Sequence, residues 1–185
     1  MKTAVIFASG NGTNFESIVN YFLNREIKFF LVCDKEDAYV FERAKKLGVE
    51  SYFVKFEDTY NFLKDKFFDL YILAGYMRIL SSKVLNLGTF VNLHPSYLPE
   101  FKGVNSIKRA YEANRGYSGV SIHYVSEEVD SGEIIIQQKA PITEGMTLES
   151  LEAQVHKIEH YLYPRVIDNL LFNSNINLTE EEVLV

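Results

Sequence analysis

Asn92 and His94 stand two residues apart in the stretch VNLHPSYLPEFKG, directly after an apolar run and ahead of Pro95 and Pro99. An amide at the end of a buried run needs partners, because leaving it unpaired costs on the order of 1–3 kcal/mol. A proline after the histidine limits the freedom of the imidazole. Further along, Asp130 lies in EEVDSGE, where DSG closes tightly between two β-like runs and can aim a carboxylate at a neighbour. A carboxylate beside an imidazole raises its pKa and fixes its orientation. An amide, an imidazole and a carboxylate together suit acyl transfer to an amine. The oxyanion of the tetrahedral intermediate needs a donor, which an Asn amide supplies. The attacking amine must lose a proton and the leaving nitrogen must gain one, which an oriented His supplies. No Ser or Cys nucleophile is required, since an amine attacks an activated acyl donor directly. The plainer alternative is that Asn92 satisfies a loop carbonyl and His94 caps the strand.

A second constellation is SGNGTN, Ser9 to Asn14, between an apolar run and a helical segment. Small residues there let the backbone approach a ligand, and N–H groups at a helix start suit a phosphate. It is neither a G-x-G-x-x-G fingerprint nor a Walker A loop. A tight turn would use the same residues, but the place at the first strand end favours a mononucleotide-like phosphate. A third, HKIEH, sets His156 and His160 four apart with Glu159 beside them. H-E-x-x-H is absent and no third ligand is evident, so no metal is expected. On the residues alone a plain solvated helix face fits HKIEH best, ahead of a polar face contacting substrate, and Glu127 and Glu128 are solvated turn residues.

The elements that must position these groups are legible in the hydrophobic pattern. Ala4–Ala8 is a short apolar run, and Asn14 can cap a helix with Phe15, Ile18, Val19, Phe22 and Leu23 inward. Phe29–Cys33 is a second buried strand; the next helix starts near Asp37, turns Val40, Ala44 and Leu47 inward and stops at Gly48. A strand at Ser51–Val54, a helix at Asp58–Lys66 and a strand from Asp69 follow, then a strand at Thr89–Leu93. Continuous apolar strands alternating with helices predict an α/β fold with a doubly wound, mostly parallel sheet. Ligands of such sheets sit at the carboxyl ends of the strands, where Asn92 and His94 fall. SIKRAYEANRG is helical to Gly116, and YSGVSIHYV and GEIIIQQKA form antiparallel strands around the acidic turn. Thr147 caps a last helix carrying Leu148, Leu151, Val155, Ile158 and Leu162, which Pro164 kinks or ends. The tail NSNINLTEEEVLV reads as a last short strand.

With 185 residues, 47% hydrophobic and 24% charged, the chain has the length for one substantial core. We expect a single domain over 1–185, with a mononucleotide-binding-like half at 1–88 and a catalytic half at 89–185. A net charge of −6 argues against nucleic acid as a partner, since phosphate backbones are gripped by clustered Lys and Arg. No apolar stretch approaches the roughly 20 residues that span a bilayer, so no membrane is expected. The N-terminal run is too short for a signal peptide, and the single cysteine, Cys33, fits a reducing cytoplasm.

The segments ASGNGTNFESI, LAGYMRILS, NLHPSYLPEFKG, VSIHYVSEEVDSGEIIIQQ and EHYLYP, in this order, resemble the glycinamide ribonucleotide formyltransferases of purine biosynthesis. The resemblance covers nearly the whole chain and implies the formyltransferase fold. It implies transfer of a formyl group from 10-formyltetrahydrofolate to the amine of glycinamide ribonucleotide, without a metal, in a monomer or homodimer. By motif position, Asn92 would hold the formyl oxygen, and His94 would donate the proton. Asp130 would raise the pKa of His94 and position water or the amine. Gly12, Thr13 and Asn14 would bind the phosphoribosyl end, and Glu159 the glycinamide. Met77, Arg78, Ile79 and Leu80 would line the folate pocket. Two places depart from the family pattern: the region between Val54 and Asp69 is short, with Glu57 where many members carry an Arg, and His156 stands where some carry Gln. Formyl transfer to amino sugars or aminoacyl-tRNA, formyl-folate hydrolysis, and a noncatalytic phosphate sensor are the rival readings. The tRNA and folate enzymes bring further domains, and the amino-sugar enzymes do not usually show SGNGTN.

Overall fold

The computed structural model describes residues 1–174. Seven strands follow the order β3-β2-β1-β4-β5-β6-β7 in one sheet. They are β1 (Lys2–Ala8), β2 (Ile27–Cys33), β3 (Glu50–Phe53), β4 (Leu70–Leu73), β5 (Phe90–His94), β6 (Tyr117–Tyr124) and β7 (Ile134–Pro141). Pairing from β3 to β5 is parallel, while β6 and β7 are antiparallel. The sheet is therefore mixed and mostly parallel, as the apolar pattern predicts. Two compact units divide at Asn92 and Leu93, inside β5, a few residues past the 88/89 boundary expected from the sequence.

In the first unit, β1 is apolar from Ala4 to Ala8 without alternation because it lies between β2 and β4 with both faces covered; all five residues are buried. Asp69 sets the β1–β4 register. Its carboxylate accepts from the Lys2 ammonium at 2.9 Å and the Thr3 amide at 2.8 Å, while its own amide donates to the Thr3 carbonyl at 2.8 Å. Between β1 and β4 the winding reverses direction, and in open sheets of this kind the carboxyl ends at such a reversal are where ligands bind. Helices α1 (Thr13–Tyr21), α2 (Val40–Lys46), α3 (Thr59–Leu63) and α4 (Ser82–Leu85) connect the strands. Three details differ from expectation. The cap of α1 is Gly12, in the left-handed region, with Asn14 already inside the first turn. The helix expected at Asp58–Lys66 is a 3-10 turn, Phe56–Asp58, followed by α3. The four-residue α4 is too short to carry a periodic signal.

The second unit contains α5 (Ser106–Glu112), β6, β7 and α6 (Leu148–Phe172), with α6 packed on both strands and on α5. Thr147 caps α6, its hydroxyl accepting from the Ser150 amide at 3.1 Å. Pro164 neither ends nor divides the assigned helix, which runs on to Phe172. A proline there removes one backbone bond, a cost of about 3 kcal/mol. The apolar face continues through Leu162, Tyr163, Val166, Ile167 and Leu171, all buried, and outweighs it. The short strand expected in the tail falls, from 175 on, outside the described residues. No helix among the described residues is long and apolar enough to cross a membrane.

Candidate active site

The carboxyl end of β5 presents Asn92 and His94 two residues apart, so the strand period puts both on one face. Asn92 is half-buried and His94 buried. The His94 Nε2–H donates to the Phe101 carbonyl at 3.0 Å, and its Nδ1 lies 3.3 Å from Oδ2 of Asp130. The topology thus closes the 36-residue gap in sequence between imidazole and carboxylate. Asp130 sits in the turn between β6 and β7 with φ 49°, an unusual left-handed conformation for a non-glycine residue. Its Oδ2 accepts from the Gly103 amide at 2.8 Å, and two residues on, the turn runs so close to β6 that a Cβ on Gly132 would lie 1.7 Å from the Tyr124 carbonyl. The Phe101 carbonyl also accepts from the Arg109 guanidinium at 2.9 Å, tying the loop over His94 to α5.

Burial is the largest influence on His94 and holds its pKa below the ordinary imidazole value; the Phe101 carbonyl and the Asp130 carboxylate push upward but do not overcome it. The expectation that Asp130 raises this pKa is therefore right for the pair and reversed for the net shift. Both ring nitrogens face acceptors, so a second proton would find a partner already in place. For Asp130 burial also pushes the carboxyl upward, but hydrogen bonding from His123 and the Gly103 amide, with the two imidazoles, brings it below the ordinary carboxylate range. His123 Nε2 lies 3.7 Å from Asp130 Oδ1. Asp130 is thus an ionised carboxylate between two buried imidazoles.

The loop after β1 is held from α2. Val40 donates its amide to the Gly10 carbonyl at 3.1 Å. Arg43 donates through Nε to the Asn11 carbonyl at 2.9 Å, through Nη2 to Asn11 Oδ1 at 2.7 Å, and through Nη1 to the Glu16 carboxylate. Gly12 has φ 80°, and a Cβ there would lie 2.4 Å from Val40 Cγ2. Glycine is thus demanded by α2 as well as by any ligand. Thr13 and Asn14 are half-buried in the first turn of α1.

The segment after β4 has Met77 67% and Ile79 66% exposed, while Leu80 is 5% exposed and faces the core. Arg78 donates through Nε to Asp34 Oδ2 at 2.6 Å. On α6, Glu159 is buried and accepts from His156 Nδ1 at 3.0 Å; its hydrogen bond holds the His156 pKa above the ordinary imidazole value. This corrects the sequence reading of a solvated face: Glu159 is buried and His156 is its half-exposed partner. Among the described residues no group of three or more His, Cys, Asp or Glu could hold a metal ion.

Residues 1–167 match the sequence profile described as Formyl transferase. The chain belongs to this family. The formyl transferase is similar to a protein named phosphoribosylglycinamide formyltransferase from Bacillus subtilis (strain 168), at 38% identity over 95% of this chain and 97% of the relative. It is 32% identical to the Escherichia coli (strain K12) protein of the same name, over 90% or less of each chain (88% and 84%). Among solved structures, phosphoribosylglycinamide formyltransferase from Streptococcus pneumoniae TIGR4 is 40% identical with a TM-score of 0.84, covering 92% of this chain and 99% of that one. The Bacillus halodurans structure is 38% identical with a TM-score of 0.85, covering 96% and 98%.

Sequence reasoning missed three residues that shape this formyl transferase. His123 was read only as part of a strand; its place on an apolar run, where its neighbours Ser121 and Ile122 are buried, was the available signal. Arg43 lay on a charged helix face like many others. Asp34 stands in the charged run CDKEDAY, and nothing in its sequence neighbours marks it as buried.

Proposed function

We propose that the chain transfers the formyl group of 10-formyltetrahydrofolate to the amine of glycinamide ribonucleotide, a step of de novo purine biosynthesis. The observation that carries this reading is the His94–Asp130 contact of 3.3 Å at the carboxyl end of β5, with Asn92 on the same face. Relatives of matching length and fold that bear the name of this activity support it. The exposed Met77 and Ile79 offer the apolar surface that a flat pterin ring would cover, and the first turn of α1 offers N–H groups for a phosphate. We read the two units as halves of one formyltransferase domain acting on small molecules in the reducing cytoplasm, as a monomer or homodimer.

In this reaction Asn92 donates its amide N–H to the formyl oxygen as negative charge gathers there. His94, neutral at rest because it is buried, takes the proton of the attacking amine and then returns it to the departing nitrogen. Asp130 holds Nδ1 and stabilises the imidazolium between those two transfers. Nε2 is the nitrogen that turns to the reacting centre: in the reacting tautomer the single imidazole proton sits on Nδ1 and is donated to Asp130, and Nε2 leaves the Phe101 carbonyl with its lone pair open to take the amine proton. Gly12, Thr13 and Asn14 take the phosphoribosyl end, Glu159 the glycinamide, and Met77, Arg78, Ile79 and the backbone of Leu80 the folate.

The test is the absorbance of the folate product with purified protein, glycinamide ribonucleotide and 10-formyltetrahydrofolate, run beside an amino-sugar acceptor. We expect the ribonucleotide to be preferred, and His94→Ala to lower kcat by about 10²–10⁴-fold with the circular dichroism spectrum unchanged. Preference for the sugar would replace the acceptor. Full turnover in His94→Ala would remove the catalytic pair.

A further inference from the structure

Building on the assignment of Met77–Leu80 to the folate, we propose that Asp34, acting with Ser9, is a positioning residue that fixes this segment for the formyl donor. Asp34 follows β2, Ser9 follows β1 and the segment follows β4, so three adjacent strand ends meet where the winding reverses. The Asp34 side chain has 0% exposure, and a buried carboxylate persists only when its oxygens are paired. Oδ1 accepts from the Ser9 hydroxyl at 2.5 Å and Oδ2 from Arg78 Nε at 2.6 Å. Ser9 Oγ in turn accepts from the Met77 amide at 2.9 Å, and the Ser9 amide donates to the Gly75 carbonyl at 3.1 Å.

The direction of these bonds makes Asp34 the keystone. An amide N–H can only donate, so Ser9 spends its lone pair on Met77 and must send its proton elsewhere; the carboxylate is the acceptor that receives it. The second oxygen draws the Arg78 guanidinium down from the same segment. Gly75, Met77 and Arg78 are thereby tied at three points to the ends of β1 and β2, while the side chains of Met77 and of Ile79, the residue after the last tie, stay exposed. Burial alone would push the Asp34 carboxyl up, yet Ser9 and Arg78 together hold it below the ordinary range, so the charge that orients Arg78 is present at neutral pH. Asp34 reaches the donor through the segment and is a positioning residue in that sense.

The prediction separates this role from a plain stabilising one by where the kinetic loss falls. Asp34→Asn keeps an oxygen for Ser9 and loses the charge for Arg78; Ser9→Ala cuts the Met77 arm, and Ser9→Thr restores it. We expect Asp34→Asn and Ser9→Ala each to raise KM for 10-formyltetrahydrofolate about 5- to 30-fold, with KM for glycinamide ribonucleotide within about twofold and kcat falling less than about threefold. The Asp34→Asn/Arg78→Gln double variant should be no worse than the more impaired single one, because both remove the same tie. Folate KM unchanged in Asp34→Asn and Ser9→Ala, equal rises in both KM values, or additive effects of Asp34 and Arg78 would overturn the proposal. Met77→Ala and Ile79→Ala tell the two failures apart. If they raise folate KM while Asp34→Asn does not, only the positioning role falls; if they leave it unchanged, the folate assignment of the segment falls as well. Should Asp34→Asn not fold, Ser9→Ala, which removes a single oxygen, carries the test.

Discussion

Asp130 receives a backbone amide on one oxygen and stands between two imidazoles, which makes it the residue whose charge is felt most directly at His94. The sign of its effect on the pH profile follows. In the proposed reaction His94 must be neutral to take the amine proton, and burial holds its pKa below the ordinary imidazole value of about 6.5. The acid limb of kcat/KM therefore lies below that value. The Asp130 carboxylate contributes an upward push, so Asp130→Asn should move the limb to still lower pH while kcat falls. A limb that stays in place or moves up would show that another group titrates there. Asn92, His94 and Asp130 were legible in the sequence because amide, imidazole and carboxylate each sat at a strand end or tight turn. His123 and Asp34 were not, because whether a polar residue is buried depends on the other strands, and a single strand does not reveal its neighbours. The same limit applies to the pKa of His94: the sequence named the carboxylate, while the burial that outweighs it belongs to the folded chain.

The elements were legible where the apolar pattern was long and unbroken, as in β1, β2 and α6, and blurred where local chemistry competed with packing. Pro164 illustrates the competition: intrinsic preference favours a break, and the buried face beyond it keeps the helix whole. Gly12 illustrates another, since a cap at Asn14 fits local propensity but Val40 of α2 and the left-handed turn move the start back to Gly12. This changes how the proposed phosphate site should be probed: a side chain at Gly12 would disturb α2 regardless of ligand, so Thr13 and Asn14 are the cleaner positions. The β1–β4 junction gives a prediction at this scale. Asp69 accepts from Lys2 and Thr3 and is 24% exposed, so its bonds are only partly screened. Asp69→Ala should lower stability by about 1–2 kcal/mol in urea denaturation, with β1 pairing affected and the β6–β7 hairpin untouched in hydrogen exchange. A change within a few tenths of a kcal/mol would mean that apolar packing alone sets the register.

Among the described residues, three aspartates have folded pKa values below the ordinary range: Asp34 and Asp69 in the first unit and Asp130 in the second. A depressed carboxylate contributes stability that is present above the unfolded pKa, about 3.9, and is lost as pH falls through the folded value. From these aspartates the urea midpoint should drop as the pH is lowered below about 4; between pH 7 and 5 the lowered pKa of His94 takes stability away and the raised pKa of His156 adds it. A midpoint constant down to pH 3 would contradict the assignment of these three ion pairs and hydrogen bonds as stabilising. Cys33 adds a different use for the same region. It is the single cysteine of the chain, fully buried at the end of β2, and burial raises its thiol pKa. A thiol reagent can thus react only when that strand end opens, and the reaction has one site. The chain carries its own chemical clock one residue from Asp34, and the labelling rate reads how often the end of β2 comes apart.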